Sequence, residues 1–252
     1  MGTAHVLEAV RQVGGVRVLV NVTTDKVYEN REWQSGYRED EALGGHDPYA
    51  SSKTCSEVVT VADRRSFFAG GKTRLATARA GNVIGGGDWA RDRLIPNCLR
   101  GVASAETVRI RNPNAIRSWQ HVLNPLAAYL TLVKRLWEEP QHTHGWNFGP
   151  NSRDDKPVGW IADRLSGLLD HGLRWTHDMS GGQDGPEAHY LRLDSALAGA
   201  RLGWVPLESA LNSIVEFFPA EQEGAGIQQA VLSQIEAFEN AEPETRAAPT
   251  WS

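Results

Sequence analysis

The sequence predicts an α/β protein built on a parallel sheet, and three observations lead there: helix-period and strand-like segments alternate, the strand-like segments are short apolar runs, and polar residues gather where those runs end. Residues 3–13 set Val6, Leu7, Val10 and Val13 at helical spacing, and Gly14-Gly15 stops the helix. Residues 16–22 are rich in valine and read as a buried strand. The stretch 28–48 is polar, holds Gly36, Gly44 and Gly45, and reads as a long functional loop. A strong helix is expected over 49–68 and a second strand over 73–80, which ends in the glycine-rich turn Gly81-Asn82-Val83-Ile84-Gly85-Gly86-Gly87.

Beyond Asp88 the elements shorten. Helices are expected near 93–102, 124–138, 157–169, 195–201 and 207–218, with strands near 107–111, 145–148 and 190–193. One more helix fits within 221–240, and 241–252 reads as a frayed tail rich in Pro, Ala and Thr.

Composition narrows the function. The 252 residues carry 26 Lys+Arg against 31 Asp+Glu, so a net acidic chain with no basic run argues against nucleic acid or an anionic membrane as partner. No apolar stretch approaches the roughly 20 residues of a membrane span. The N-terminus lacks a basic start and an apolar signal core, and Cys55 and Cys98 form neither metal spacing nor a disulfide framework. These features predict a cytoplasmic protein without a metal; His142 and His144, two apart in a loop, do not make one.

The sharpest local signal is Tyr49-Ala50-Ser51-Ser52-Lys53 at the start of a helix. Residues four apart share a helical face, and an ammonium beside a tyrosine hydroxyl favours the phenolate, making it a usable base. By itself the pair is weak, because a surface Tyr and Lys often fall at this spacing. Upstream, however, Thr23-Thr24-Asp25-Lys26 closes a strand, at the edge where open α/β sheets place ligands. Only five lysines occur, at 26, 53, 72, 134 and 156, and two of them fall in this set. Thr24, Lys26, Tyr49 and Lys53 supply a base, its activator, a hydroxyl positioner and an acid/base pair for oxidising a hydroxyl.

The run from Asn21 to Trp33 (NVTTDKVYENREW), with Gly36-Tyr37-Arg38-Glu39 and the residues 43–49, closely resembles CDP-glucose 4,6-dehydratases of the extended short-chain dehydrogenase/reductase superfamily. The resemblance continues through Ala80-Gly81-Asn82 to Asp88-Trp89, Arg93-Leu94-Ile95-Pro96, Trp119-Gln120-His121-Val122, Trp146-Asn147-Phe148-Gly149-Pro150, residues 187–194 and Leu202-Gly203-Trp204. The T-D-K and G-G-G-D-W stretches belong to this branch; Y-x-x-x-K marks only the superfamily.

The resemblance implies the C-terminal part of a Rossmann-like parallel sheet plus a smaller α/β substrate-binding domain: 1–92 a partial NAD-binding unit, 93–240 mainly sugar-nucleotide-binding with some return to the sheet, 241–252 a tail. It implies NAD as cofactor and CDP-glucose as substrate in deoxysugar and polysaccharide biosynthesis, with a homo-oligomeric assembly. Tyr49 takes the sugar O4 proton, Lys53 lowers its pKa and binds the nicotinamide ribose, and Thr24 bonds the O4 region. Asp25 is the acid at the C6 hydroxyl and Lys26 the base at C5, where related dehydratases use Asp-Glu; unlike arginine, lysine can deprotonate when its pKa is shifted. Thr23 and the Val83 backbone face the cofactor. Asn82, Arg93, Leu94, Ile95, Pro96, Arg117, Glu187 and Tyr190 line the sugar nucleotide, Arg117 at the diphosphate. The family usually has proline where Ser118 stands.

It also implies that the sequence starts at an internal helix of the family, without the first βαβαβ half that carries the glycine fingerprint. Two other readings stand beside a dehydratase: a sister nucleotide-sugar 4-epimerase or 4,6-dehydratase, and a non-enzymatic sugar-nucleotide-binding module. Asp25-Lys26 discriminates, because an epimerase needs no elimination acid and base.

Overall fold

In the computed structural model, residues 1–150, 155–169, 172–179, 190–206 and 226–240 are described. Glu187, the helix expected over 207–218 and the tail lie outside them. The central layer is a parallel sheet in the order β1 (Val18–Val22), β2 (Arg74–Ala80), β6 (Gly145–Phe148). Strand alternation sorts its side chains onto two faces. Ala76, Ala78, Trp146 and Phe148, with Val18 and Val20, pack against Ala128, Leu132 and Leu136 of α4 (Leu123–Glu138) and Ala198 and Leu202 of α6 (Ala196–Leu202). On the other face Leu19 and Leu75 meet Leu7 and Val10 of α1 (Gly2–Val13), Val59 of α2 (Pro48–Ser66) and Phe68. The α/β class and the parallel sheet expected from sequence are therefore present.

Past β2 the chain changes sheets at Gly81. β3 (Asn82–Ile84) pairs in parallel with β5 (Ile116–His121), which also takes antiparallel β7 (Asp155–Pro157) and parallel β9 (Tyr190–Leu191). A third sheet, the parallel pair β4 (Thr107–Ile110) with β8 (Arg174–His177), joins α3 (Leu94–Ser104) and α5 (Val158–Leu168) around Ile84, Ile95, Cys98, Leu99, Ile161, Leu165 and Leu173. A final helix, α7 (Ile227–Asn240), buries none of its residues.

Two expectations need correction. The first strand begins at Val18, not at residue 16, and is half-buried, because among the described residues β1 is a sheet edge with β2 as its neighbour. β3, β5, β7 and β8 were not anticipated: β5 reads Ile-Arg-Ser-Trp-Gln-His, and its buried Arg117, Ser118 and Gln120 erase the apolar alternation a strand usually shows. The stretch 28–48 is packed as well as long. Tyr28 and Tyr37 are buried and stacked at 5.2 Å between ring centroids, and Tyr37 exchanges backbone hydrogen bonds with Arg192 and Asp194 (both 2.9 Å).

Candidate active site

The C-terminal ends of β1 and β2 carry several of the candidate residues singled out from the sequence, where the strands stop pairing and the chain turns. Thr24 caps a 3-10 turn, Asp25–Val27, and its hydroxyl donates to Asp25 Oδ1 (2.9 Å). Asp25 is 6% exposed. Burial pushes its carboxyl above the usual range, against the pull of Thr24, Lys26 and Arg117. Lys26, one residue on, is exposed. A buried carboxyl thus sits beside a lysine open to solvent.

The helix α2 delivers the second pair. Asp47 accepts from the Ala50 amide (2.8 Å) and Pro48 occupies the first turn, so the helix starts immediately before Tyr49. Tyr49 is 50% exposed, and Lys53 Nζ lies 5.9 Å from its ring centroid. Thr54 Oγ1 donates to the Val27 carbonyl (3.1 Å), tying this helix to the turn that holds Asp25 and Lys26.

β3 and β5 adjoin this turn at Gly81. A Cβ on Gly81 would lie 3.2 Å from Asp25 Oδ2 and 3.6 Å from Ser118 Cβ, so the glycine lets the acid and β5 approach. Arg117 is buried, donates to its own Ile116 carbonyl (2.9 Å), and is near enough to Asp25 to favour the carboxylate. Ser118 Oγ donates to Asp155 Oδ1 (2.6 Å), and Arg192 Nε lies 3.2 Å from Asp155 Oδ2. Asn82 is half-buried and Val83 is 41% exposed. Arg93 is exposed at the start of α3, whereas Ile95 and Pro96 turn into the core and Leu94 packs against it. Tyr190 pairs with Ile116, and its amide donates to Glu32 Oε2 (2.8 Å).

Sequence reasoning missed the buried polar groups beneath these residues. Glu57, fully buried on α2, accepts from Thr23 Oγ1 (2.6 Å), Thr77 Oγ1 (2.7 Å), and Arg79 Nε (2.9 Å) and Nη2 (3.0 Å). The Thr23 hydroxyl is therefore engaged by Glu57. Arg79 Nη1 donates to the Tyr28 hydroxyl (2.7 Å), which donates to Asn147 Oδ1 (2.7 Å). Glu57 stands eight residues after Tyr49 on a helix already assigned, and that spacing was the one signal available for it.

The exposed Tyr49 ring, half-buried Lys53 and exposed Val83 offer a hydroxyl, an ammonium and an apolar surface, a donor set that suits a nicotinamide riboside. No glycine-rich turn among the described residues runs straight into a helix: Gly81–Gly87 is separated from α3, which starts at Leu94. The nicotinamide end thus fits, and a pyrophosphate cradle is not found among the described residues. Nor is any helix of those residues long and apolar enough to cross a membrane.

Comparison with known proteins agrees with this fold. The model of the NAD dependent epimerase/dehydratase family matches residues 1–148. The chain is 49% identical over 230 residues to a CDP-glucose 4,6-dehydratase of Salmonella typhimurium, covering 87% of this chain and 63% of that protein. A trifunctional UDP-glucose 4,6-dehydratase of Arabidopsis thaliana is 24% identical over 177 residues, 67% of this chain and 24% of its own length. Among solved structures, a dTDP-glucose 4,6-dehydratase of Streptomyces venezuelae with NAD bound superposes with a TM-score of 0.72 at 21% identity, over 88% of this chain and 66% of that one. A UDP-glucuronic acid 4-epimerase of Bacillus cereus gives 0.75 at 14% identity, again over 88% and 66%. At such identities these structures speak for the fold alone.

Proposed function

Because the chain belongs to the NAD-dependent epimerase/dehydratase family, we propose that its site performs the chemistry of a CDP-glucose 4,6-dehydratase, a hydro-lyase forming CDP-4-keto-6-deoxyglucose. The observation that carries this reading is the buried Asp25 beside the exposed Lys26, an acid and a base that a 4-epimerase does not need. The 49% identity to the Salmonella enzyme supports the same choice.

Tyr49, Lys53 and the Val83 backbone would hold NAD, whose chemistry there would be reversible hydride acceptance. Tyr49 takes the O4 proton, with the Lys53 ammonium stabilising negative charge on the phenol oxygen. Thr24 holds the O4 region. The C4 ketone acidifies the C5 proton, which Lys26 removes. Asp25, whose proton affinity burial raises, gives its proton to the C6 hydroxyl, which leaves as water. Asn82, Arg93, Leu94, Ile95, Pro96, Tyr190 and Glu187 are proposed to line the substrate, and Arg117 to meet its diphosphate.

We further propose residues 1–92 as mainly cofactor-binding and 93–240 as mainly substrate-binding, with β6, α4 and α6 returning to the first sheet, and a cytoplasmic homo-oligomer as the working form. Incubation with CDP-glucose and NAD, followed by mass spectrometry, tests the central proposal. A sugar nucleotide lighter by one water is expected; a 4-epimer with no keto sugar would reject the dehydratase reading.

A further inference from the structure

Glu57 touches none of the reacting atoms, yet it joins the elements that carry them. It lies one helical turn beyond Lys53 and two beyond Tyr49 on α2. One of its partners, Thr23, directly precedes Thr24 and Asp25 (2.6 Å). The others, Thr77 and Arg79, stand on β2, which runs into Gly81 and Asn82. The guanidinium passes over Gly145 of β6, where a Cβ would lie 2.7 Å from Arg79 Nη2. From Arg79 the hydrogen bonds continue through Tyr28 to Asn147, whose amide donates to the Tyr37 carbonyl (2.8 Å).

The seam between α2 and the sheet changes character along its length. Away from the site it is apolar, formed by Leu19, Leu75, Val59 and Phe68. Toward the site it becomes polar: Asn21 Nδ2 donates to Ser56 Oγ (2.9 Å) and Thr60 Oγ1 (2.8 Å), and the next pair of strand positions belongs to Glu57. Apolar side chains of similar volume would fill the same space without the desolvation cost of a buried ion pair. They would not fix distances, because dispersion contacts are non-directional and slide, whereas four hydrogen bonds on one carboxylate do not.

We propose that Glu57 is a positioning residue: through Thr23 it sets the spacing between the base pair Tyr49–Lys53 on α2 and the Thr24–Asp25 pair at the end of β1. Arg79 locks that spacing to β2 and, over Gly145, to β6. The inference rests on the dehydratase reading for its catalytic consequence and on geometry alone for its structural one.

Two measurements on the whole chain separate these. Without substrate, hydrogen exchange read by mass spectrometry should show Glu57→Gln speeding exchange about tenfold in the segments 20–28 and 48–58 and leaving 94–110 unchanged. Unchanged exchange in either of the first two segments overturns the proposal, whatever the chain catalyses. With CDP-glucose and NAD, the ratio of 6-deoxy product to C4-oxidised sugar retaining its 6-hydroxyl should fall about tenfold to a hundredfold, since small displacements of reacting groups cost rate steeply. A residue that only supports folding would scale both products equally and leave that ratio at its wild-type value, which overturns the proposal. The double variant E57Q/R79M replaces the pair by groups without opposite charges and is expected to regain melting temperature without regaining the ratio; recovery of both also overturns it. Absence of keto sugar from the wild-type chain rejects the dehydratase reading instead, and the exchange experiment still decides Glu57.

Discussion

Asp25 and Glu57 are two buried carboxyls with opposite pH signatures. Burial raises Asp25 above its ordinary range despite Thr24, Lys26 and Arg117. Its folded form binds the proton more tightly than the unfolded one, so its contribution is full below the ordinary carboxylate pKa and is lost as pH rises through the folded value. Asp25→Asn should therefore be more stable than wild type at pH of about 8, with the gap closing near pH of about 3, in urea unfolding series. Equal stability at the alkaline end would mean that burial does not raise this carboxyl. For Glu57, burial alone would raise the pKa, but Arg79, Thr23 and Thr77 together hold it below the usual range. Its contribution is present at neutral pH and lost as pH falls through the depressed folded value, so the penalty of Glu57→Gln should shrink in acid. In turnover, Lys26→Ala should retain C4 oxidation and lose C5 proton exchange with solvent by about 10²–10⁴-fold, while Tyr49→Phe impairs the oxidation itself. Unchanged exchange in Lys26→Ala would remove that lysine from the base role.

The helix α2 carries both the Tyr49–Lys53 pair and Glu57, so its start matters at the scale of an element. Asp47 supplies its N-cap. Asp47→Ala should lower stability by about 1 kcal/mol, read from thermal unfolding, and should slow C4 oxidation more than that loss of folded protein explains. The other face of the sheet rests on α4, where Leu132 is fully buried among Ala76, Ala78 and Trp146. Leu132→Ala should cost about 2–5 kcal/mol with the product ratio unchanged in the protein that remains folded. A shifted ratio would show that α4 also sets the site. Periodicity in the sequence located these helices to within about two residues, because an apolar face buried against a sheet repeats at the helical period. It gave no hint of β5, whose buried residues are polar.

For the whole molecule, the consequence of sheet order is an unpaired edge. Among the described residues β1 pairs only with β2, and Val22 is 45% exposed at its end. Beside it α4 exposes Leu126, Leu130, Val133 and Trp137 at helical spacing. An apolar strand edge next to an apolar stripe favours association. The 252-residue chain is expected to self-associate with concentration in sedimentation velocity, less so as Leu130→Lys. A monodisperse monomer at high concentration would show that this surface is inert.

The sequence by itself determined the α/β class, the helix that presents Tyr49 and Lys53, and the tripeptide Thr24-Asp25-Lys26, because each is local: a period, a cap or a run of adjacent residues. The spacing of Tyr49 and Lys53 on one helical face needs no knowledge of anything distant. Tertiary structure alone decided that Asp25 is buried while Lys26 is not, that the charge of Arg117 acts on Asp25, and that one carboxylate binds Thr23, Thr77 and Arg79 together. Those facts depend on which strands pair and how deeply they sit, and contacts between residues 20 to 120 positions apart leave no periodic trace along the chain.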